Sequence, residues 1–376
     1  MKLEPTVPVF LFTNRNILPE PQGINPFGNE RDPQLEPHLA IAEVAIGENV
    51  TPQVLLQETL GGPKKKKSVV ELKGIEILEA PKPLNLVVQR FRRKSFQNHP
   101  WTRRLLAELD QSQAREIVIF VHGYNTHLIK NTELMAEIHH FRGRDGVVIN
   151  FEWPSRGKLL GYFQDKGNAE QSTRYLRGVL ATCALETNAK AIRIIGHSAG
   201  CPIVVNALRE LRLLEYDLSP QELQEKFRIK SVVLAAPDMD LMAFFNAVLD
   251  RFYDLSEWVG VYSAPEDRAL EISSKIFGNI RLGAAIGRLT DEQSTLLSED
   301  LGGLEMIDVT YPEAIYGDIL GHGYFQNDPW VSSDIGTGIL GFSPEERGLV
   351  RQPGEIFWEF PPDYPERVKR LFAGAE

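Results

Sequence analysis

The stretch Gly196-His197-Ser198-Ala199-Gly200 limits the fold of this chain more than any other, because it ends the apolar run Ala191 to Ile195 and opens a segment of helical spacing. Strand, tight turn and helix follow one another with a serine at the apex. In such an elbow the serine sits in a strained turn that raises its hydroxyl clear of the sheet. Glycines two residues to either side let strand and helix approach without Cβ clashes. The helix after the turn is read from Ile203, Val204, Ala207, Leu208 and Leu211, whose spacing places them on one face. The five-residue pattern alone is a weak signal, and its position between strand and helix is what gives it meaning.

The surrounding pattern predicts a mostly parallel α/β sheet flanked by helices. IVIFVHG (Ile117 to Gly123) and GVVINFEW (Gly146 to Trp153) are continuous apolar runs of the kind found in strands buried on both faces. Between them TELMAEIHHF reads as a helix, and NAEQSTRYLRGVLATCAL, with Leu176, Val179, Leu180 and Cys183 on one face, follows Trp153. SVVLAAP (Ser231 to Pro237), WVGVYSAP (Trp258 to Pro265) and EMIDVTY (Glu305 to Tyr311) continue the strand series. DMDLMAFFNAVLDRF and DRALEISSKIF read as short helices between them, and GEIFWEF and PERVKRLF as a last strand and helix. Strands alternating with helices imply a parallel sheet. The first hundred residues differ, with candidate strands at Val7 to Phe12, Ala40 to Gly47 and Glu71 to Leu78 separated by loops rich in Pro and Gly. The expected organisation is therefore an N-terminal strand-rich extension over residues 1–105, packed on the sheet of a domain over 106–376. Residues 278–301, glycine-rich and poorly periodic, are expected to form a lid.

Composition narrows the partners. With 376 residues, 43% of them hydrophobic and 24% charged, the chain has ample material for a large core. A formal net charge of -10 and a pI near 5.5 disfavour nucleic acid and anionic membrane surfaces, whose phosphates the chain would repel. The four-lysine run Lys64 to Lys67 reads as a solvated loop tip within that acidic whole. The start MKLEPTVPVFLF has a brief apolar run broken by prolines, so no signal peptide or stable membrane insertion is expected, and the expected location is cytoplasmic. Cys183 and Cys201, the only cysteines, both lie in apolar helical patterns and read as buried thiols rather than a disulfide.

A serine hydroxyl is a poor nucleophile near neutral pH and needs an adjacent base, itself oriented by a third group. On a sheet with this kind of elbow the order along the chain is serine, acid, histidine. Of eight histidines only His322 lies downstream of Ser198; it sits between Gly321 and Gly323 after the last long strand. Asp267, after the strand ending in SAP and at the start of a helix, is the candidate acid, and Asp238 the alternative; Asp240 lies on the same edge as Asp238. Each of the three also suits a helix N-cap. An oxyanion would need donors, for which the N–H groups of Ala199 and of Tyr124, or else Asn125, are the candidates. His122 is assigned a structural role in the same loop. No cluster has metal-ligand spacing and no dinucleotide or phosphate loop is present in the sequence, so neither metal nor cofactor is implied.

VFLFTNR, FVHGYNTH, NFEWPSRG with YFQDKGNA, IIGHSAG, VLAAPDMD, SAPEDRAL and LGHGYF together resemble a bacterial α/β-hydrolase family of unknown function within the esterase and lipase superfamily. The resemblance runs from about Val7 to Ile335 and is densest after Ile117. It implies an α/β-hydrolase fold, with Ser198 as nucleophile, Asp267 as acid and His322 as base. The expectation is a cofactor-independent serine hydrolase acting on an ester or related acyl bond of a small molecule. A catalytically silent binding or scaffold protein of the same fold is the alternative. Oligomeric state is left open by the sequence.

Overall fold

The structure is a computed structural model that describes residues 6–47, 69–78, 99–156, 162–298, 301–310, 322–352 and 354–373. The lysine run Lys64 to Lys67 lies outside the described residues. The backbone divides into two compact units, Met1–Ile194 with Lys226–Arg228, and Ile195–Glu225 with Ile229–Glu376. No unit boundary falls near residue 105. The reason is visible in the first strand, which is hydrogen-bonded deep inside the first unit.

In that unit β1 (Thr6–Thr13), β2 (Arg15–Gln22), β3 (Asn25–Arg31), β4 (His38–Ile46) and β5 (Val70–Ile77) precede α1 (Pro100–Gln111), β6 (Glu116–Val121), α2 (Leu128–Phe141), β7 (Val147–Glu152) and α3 (Tyr162–Leu185). The strands run in the order β6-β7-β1-β4-β5. β6 and β7 are parallel, and β1 continues the parallel set by pairing Phe10 with Ile149 and Thr13 with Glu152. β4 and β5 then add antiparallel strands. Val9, Phe10, Leu11 and Phe12 are buried without alternation, as expected of a strand covered on both faces. The hairpin β2–β3 stands apart as its own two-stranded sheet. Gly23 turns it with φ +63°, a conformation that costs a residue without Cβ little.

β8 (Ala191–His197) carries the chain into the second unit. There α4 (Cys201–Leu214), α5 (Pro220–Phe227), β9 (Ile229–Ala235), α6 (Leu241–Leu249), β10 (Ser256–Ser263), α7 (Arg268–Phe277), α8 (Asp291–Ser298), β11 (Leu304–Asp308), α9 (Tyr324–Asn327), α10 (Pro329–Ile339), β12 (Phe357–Glu359) and α11 (Tyr364–Ala373) follow. β9, β10, β11 and β12 lie side by side and all parallel. Ile203, Val204, Ala207, Leu208 and Leu211 are buried on α4, the face that their spacing predicts. Both cysteines are free and buried, and burial pushes the Cys183 thiol up to about 12, which leaves it protonated and inert.

Residues 278–298 and 301 are the described part of the stretch expected to form a lid. Leu282, Ala284 and Ala285 are buried, and α8 occupies 291–298. Leu282 N–H donates to Met239 at 2.8 Å, Gly283 N–H to Pro237 at 2.9 Å, and Ala264 N–H to Gly283 at 2.8 Å. Residues 282–285 are thus packed against the chain that leaves β9 and β10. Backbone bonds rather than a side-chain stripe hold them, so periodicity carried no sign of their burial. Among the described residues no helix is long and apolar enough to cross a membrane.

Candidate active site

Ser198 follows the last residue of β8 with φ +51°, a left-handed backbone that a residue bearing a Cβ adopts only under constraint. The constraint is packing at the neck of the turn. A Cβ on Gly196 would lie 3.1 Å from Val204 Cγ2 and 3.3 Å from Cys201 Cα, so a side chain there would press on the start of α4 and push it a few tenths of an ångström from β8. Ser198, Ala199 and Gly200 form a single 3-10 turn that leads into α4. The turn is more enclosed than the sequence suggests, with Ser198 only 5% exposed.

His322 and Asp267 meet this hydroxyl in one line. His322 Nε2 lies 2.7 Å from Ser198 Oγ, and His322 Nδ1 lies 2.6 Å from Asp267 Oδ2. A carboxylate can only accept, so Nδ1–H donates to Asp267 and Nε2 is left to accept the serine proton. Asp267 is buried and divides its two oxygens: Oδ2 holds the imidazole, while Oδ1 accepts from Leu270 N–H at 3.1 Å as the N-cap of α7. The cap and the orienting roles, which compete in the sequence, belong to the same carboxylate. Chemically the arrangement can draw a proton from a hydroxyl and neutralise the imidazolium that results.

Asp238 is held elsewhere. Ser273 Oγ donates to its Oδ1 at 2.7 Å, and Arg281 Nε stands 3.2 Å from the same oxygen in a buried ion pair. Asp238 N–H donates to the Ser198 carbonyl at 3.2 Å, so the residue supports the elbow through its backbone. Asp240 caps α6 by accepting from Ala243 N–H at 2.9 Å. Ala199 lies in the turn after the serine, in the second unit, whereas Tyr124 and Asn125 lie in the loop after β6, in the first. Asn125 has φ +55°, and its N–H is taken up by Ser155 Oγ at 3.2 Å.

That loop rests on a buried polar cluster that the sequence reading missed apart from His122. Arg15 Nη2 pairs with Glu152 Oε2 at 2.7 Å, both side chains being fully enclosed. Asn131 and Asn150 donate to Glu152 Oε1 at 2.8 and 3.0 Å. The His122 ring stacks on Trp153 with centroids 5.1 Å apart, and its Nδ1 lies 2.7 Å from the Gly123 carbonyl. Burial pushes His122 below its ordinary value and so favours the neutral ring, against the pull of Glu152. Arg15 and Glu152 sit inside the motifs VFLFTNR and NFEWPSRG, which was the available signal. Among the described residues no group of three or more His, Cys, Asp or Glu could hold a metal ion.

The model of the family described as alpha/beta hydrolase of unknown function (DUF900) matches residues 98–338, more than half of the chain. The chain belongs to this family. Its fold is accordingly the α/β-hydrolase fold, a mostly parallel sheet with flanking helices and added N-terminal antiparallel strands. No curated protein matches the sequence. Among solved structures it is similar to a candidate cell surface hydrolase from Lactobacillus plantarum WCFS1, at 16% identity and TM-score 0.37 over 62% of this chain and 94% of that one. It is also similar to esterases from Rhizomucor miehei (14%, TM-score 0.31, 60% and 73%) and to esterase B from Lactobacillus rhamnosis (12%, TM-score 0.29, 52% and 65%). Likenesses this faint carry no weight for function, and the family match stands without them.

Proposed function

We propose that the protein is a cofactor-independent serine hydrolase that cleaves an ester or related acyl bond of a small molecule through an acyl-enzyme. The observation that supports this most is the unbroken line from Asp267 Oδ2 through His322 to Ser198 Oγ, with contacts of 2.6 and 2.7 Å. Ser198 Oγ attacks the acyl carbonyl while its proton passes to His322 Nε2, and Asp267 stabilises the imidazolium. The Ala199 N–H is the proposed donor to the tetrahedral oxyanion. On collapse the leaving alcohol takes the proton from Nε2. Water, activated by the same nitrogen, then releases the acid and restores the serine.

Asp267→Asn against Asp238→Asn is the discriminating pair, assayed for turnover on aryl esters of graded acyl length. An asparagine at 267 can keep the cap on Leu270 but turns an N–H toward Nδ1, which forces the wrong tautomer. Turnover is expected to fall on the order of ten-thousand-fold. Asp238→Asn should stay within about tenfold of the parent, because that carboxylate touches Ser273 and Arg281 instead. The reverse ranking would move the acid to the loop after β9 and overturn the assignment.

A further inference from the structure

His197, the residue before the proposed nucleophile, makes a hydrogen bond and two ring contacts to the segment that carries the proposed base. Its Nε2 lies 3.2 Å from the carbonyl oxygen of His322; a carbonyl can only accept, so the imidazole donates through Nε2–H. The ring centroids of His197 and His322 are 5.0 Å apart. On its other flank the His197 ring meets Phe325 at 4.6 Å. One side chain therefore fixes the backbone of residue 322, lies against its imidazole and packs on the residue three positions later. A second tie secures the same segment, since Tyr324 OH donates to the Tyr262 carbonyl at 2.8 Å, on the strand that leads to Asp267.

Pinning the carbonyl of residue 322 restricts the rotation about its backbone that would swing the imidazole off the serine. The anchor comes from the neighbour of that serine, so any shift of the elbow carries the base with it. We propose that His197 is a positioning residue that locks the His322 loop to the nucleophile turn through its Nε2–H donor, so that Oγ and Nε2 stay in register as the substrate binds. This rests on the serine-hydrolase reading above. His197 itself gives and takes no proton in the reaction.

The test separates the donor from the ring. His197→Phe keeps the stacking on Phe325 and removes the donor; His197→Gln keeps an N–H near the position of Nε2 and removes the ring; His197→Leu removes both in a smaller volume should phenylalanine not fold. Each is measured for its rate of covalent labelling by a fluorophosphonate, for melting temperature, and for the downfield proton resonance of the His322 Nδ1–H bond to Asp267. The donor account expects His197→Phe and His197→Leu to label about tenfold to a hundredfold more slowly, the scale on which small misplacements of a catalytic group register. Their downfield resonance should be broadened or lost at near-parental melting temperature, with His197→Gln restoring both readouts. Parental rates and an intact resonance in His197→Phe would overturn it, as would equal losses in the Phe and Gln variants, which would assign the effect to ring packing. A parent protein that does not label at all removes the hydrolase reading instead, and the resonance then decides the positioning claim by itself.

Discussion

Ser198 and Ala236 both hold left-handed backbone, with φ +51° and +47°, and they lie on neighbouring turns: Asp238 N–H, two residues past Ala236, donates to the Ser198 carbonyl. For a residue with a Cβ this conformation costs on the order of 1–2 kcal/mol, and it persists because surrounding packing over-determines it. Replacing Ser198 by glycine should therefore yield a more stable protein than replacing it by alanine, by about 1 kcal/mol after the extra freedom of unfolded glycine is set against the relief. Urea midpoints of the two variants measure the difference. Equal stability would mean that the turn stores no strain. At this scale the residues that meet at Ser198 were legible where chemistry forces an order: Ser198 by its elbow, His322 as the one histidine downstream, and Asp267 by its place at the end of the second strand after the elbow. Arg15, Glu152 and His197 were not, because the Arg15–Glu152 pair and the His197–His322 contact each join residues more than a hundred positions apart and leave no local spacing to read.

The elements that sequence spacing identified are those that bury a stripe or a run. β6, β7 and β9, buried almost end to end, and α4, buried on one face, match their apolar patterns. The hairpin β2–β3 escaped because its outer half is exposed and carries Pro19 and Pro21, so neither alternation nor propensity marks it. Residues 282–285 escaped for the opposite reason, being buried by backbone bonding without a periodic stripe. Gly283 is their key. A Cβ there would stand 2.4 Å from Leu270 Cδ1 and 2.9 Å from both Ala236 C and Pro237 N, and the backbone atoms cannot yield as a side chain could. Gly283→Ala should lower stability by roughly 1–3 kcal/mol and disturb the start of α7, where Leu270 packs and Asp267 caps. A variant with an unchanged melting temperature would restore the picture of a loose cover over this region.

Across the molecule, the N-terminal strands are structural members of the first unit, since β1 bridges β7 and β4. The same unit buries a titratable group that sets a limit in acid. His139 on α2 is driven down to about 4, first by burial and then by the positive charges of Arg142 and Arg144. Its folded value lies below the ordinary one, so the unfolded chain binds the proton more tightly. The stabilisation is thus complete above about pH 6.5 and is lost as pH falls through about 4, a change of roughly 3 kcal/mol. Urea midpoints between pH 7 and pH 4.5 should drop by less in His139→Phe than in the parent; parallel declines would place the acid sensitivity on other groups. The proposed chemistry turns on Ser198, and intact-mass and peptide mass spectrometry after fluorophosphonate treatment interrogates it directly. A single covalent adduct on the peptide bearing Ser198, absent from Ser198→Ala, is the predicted result. An unmodified parent, or an adduct that survives in Ser198→Ala, would contradict it.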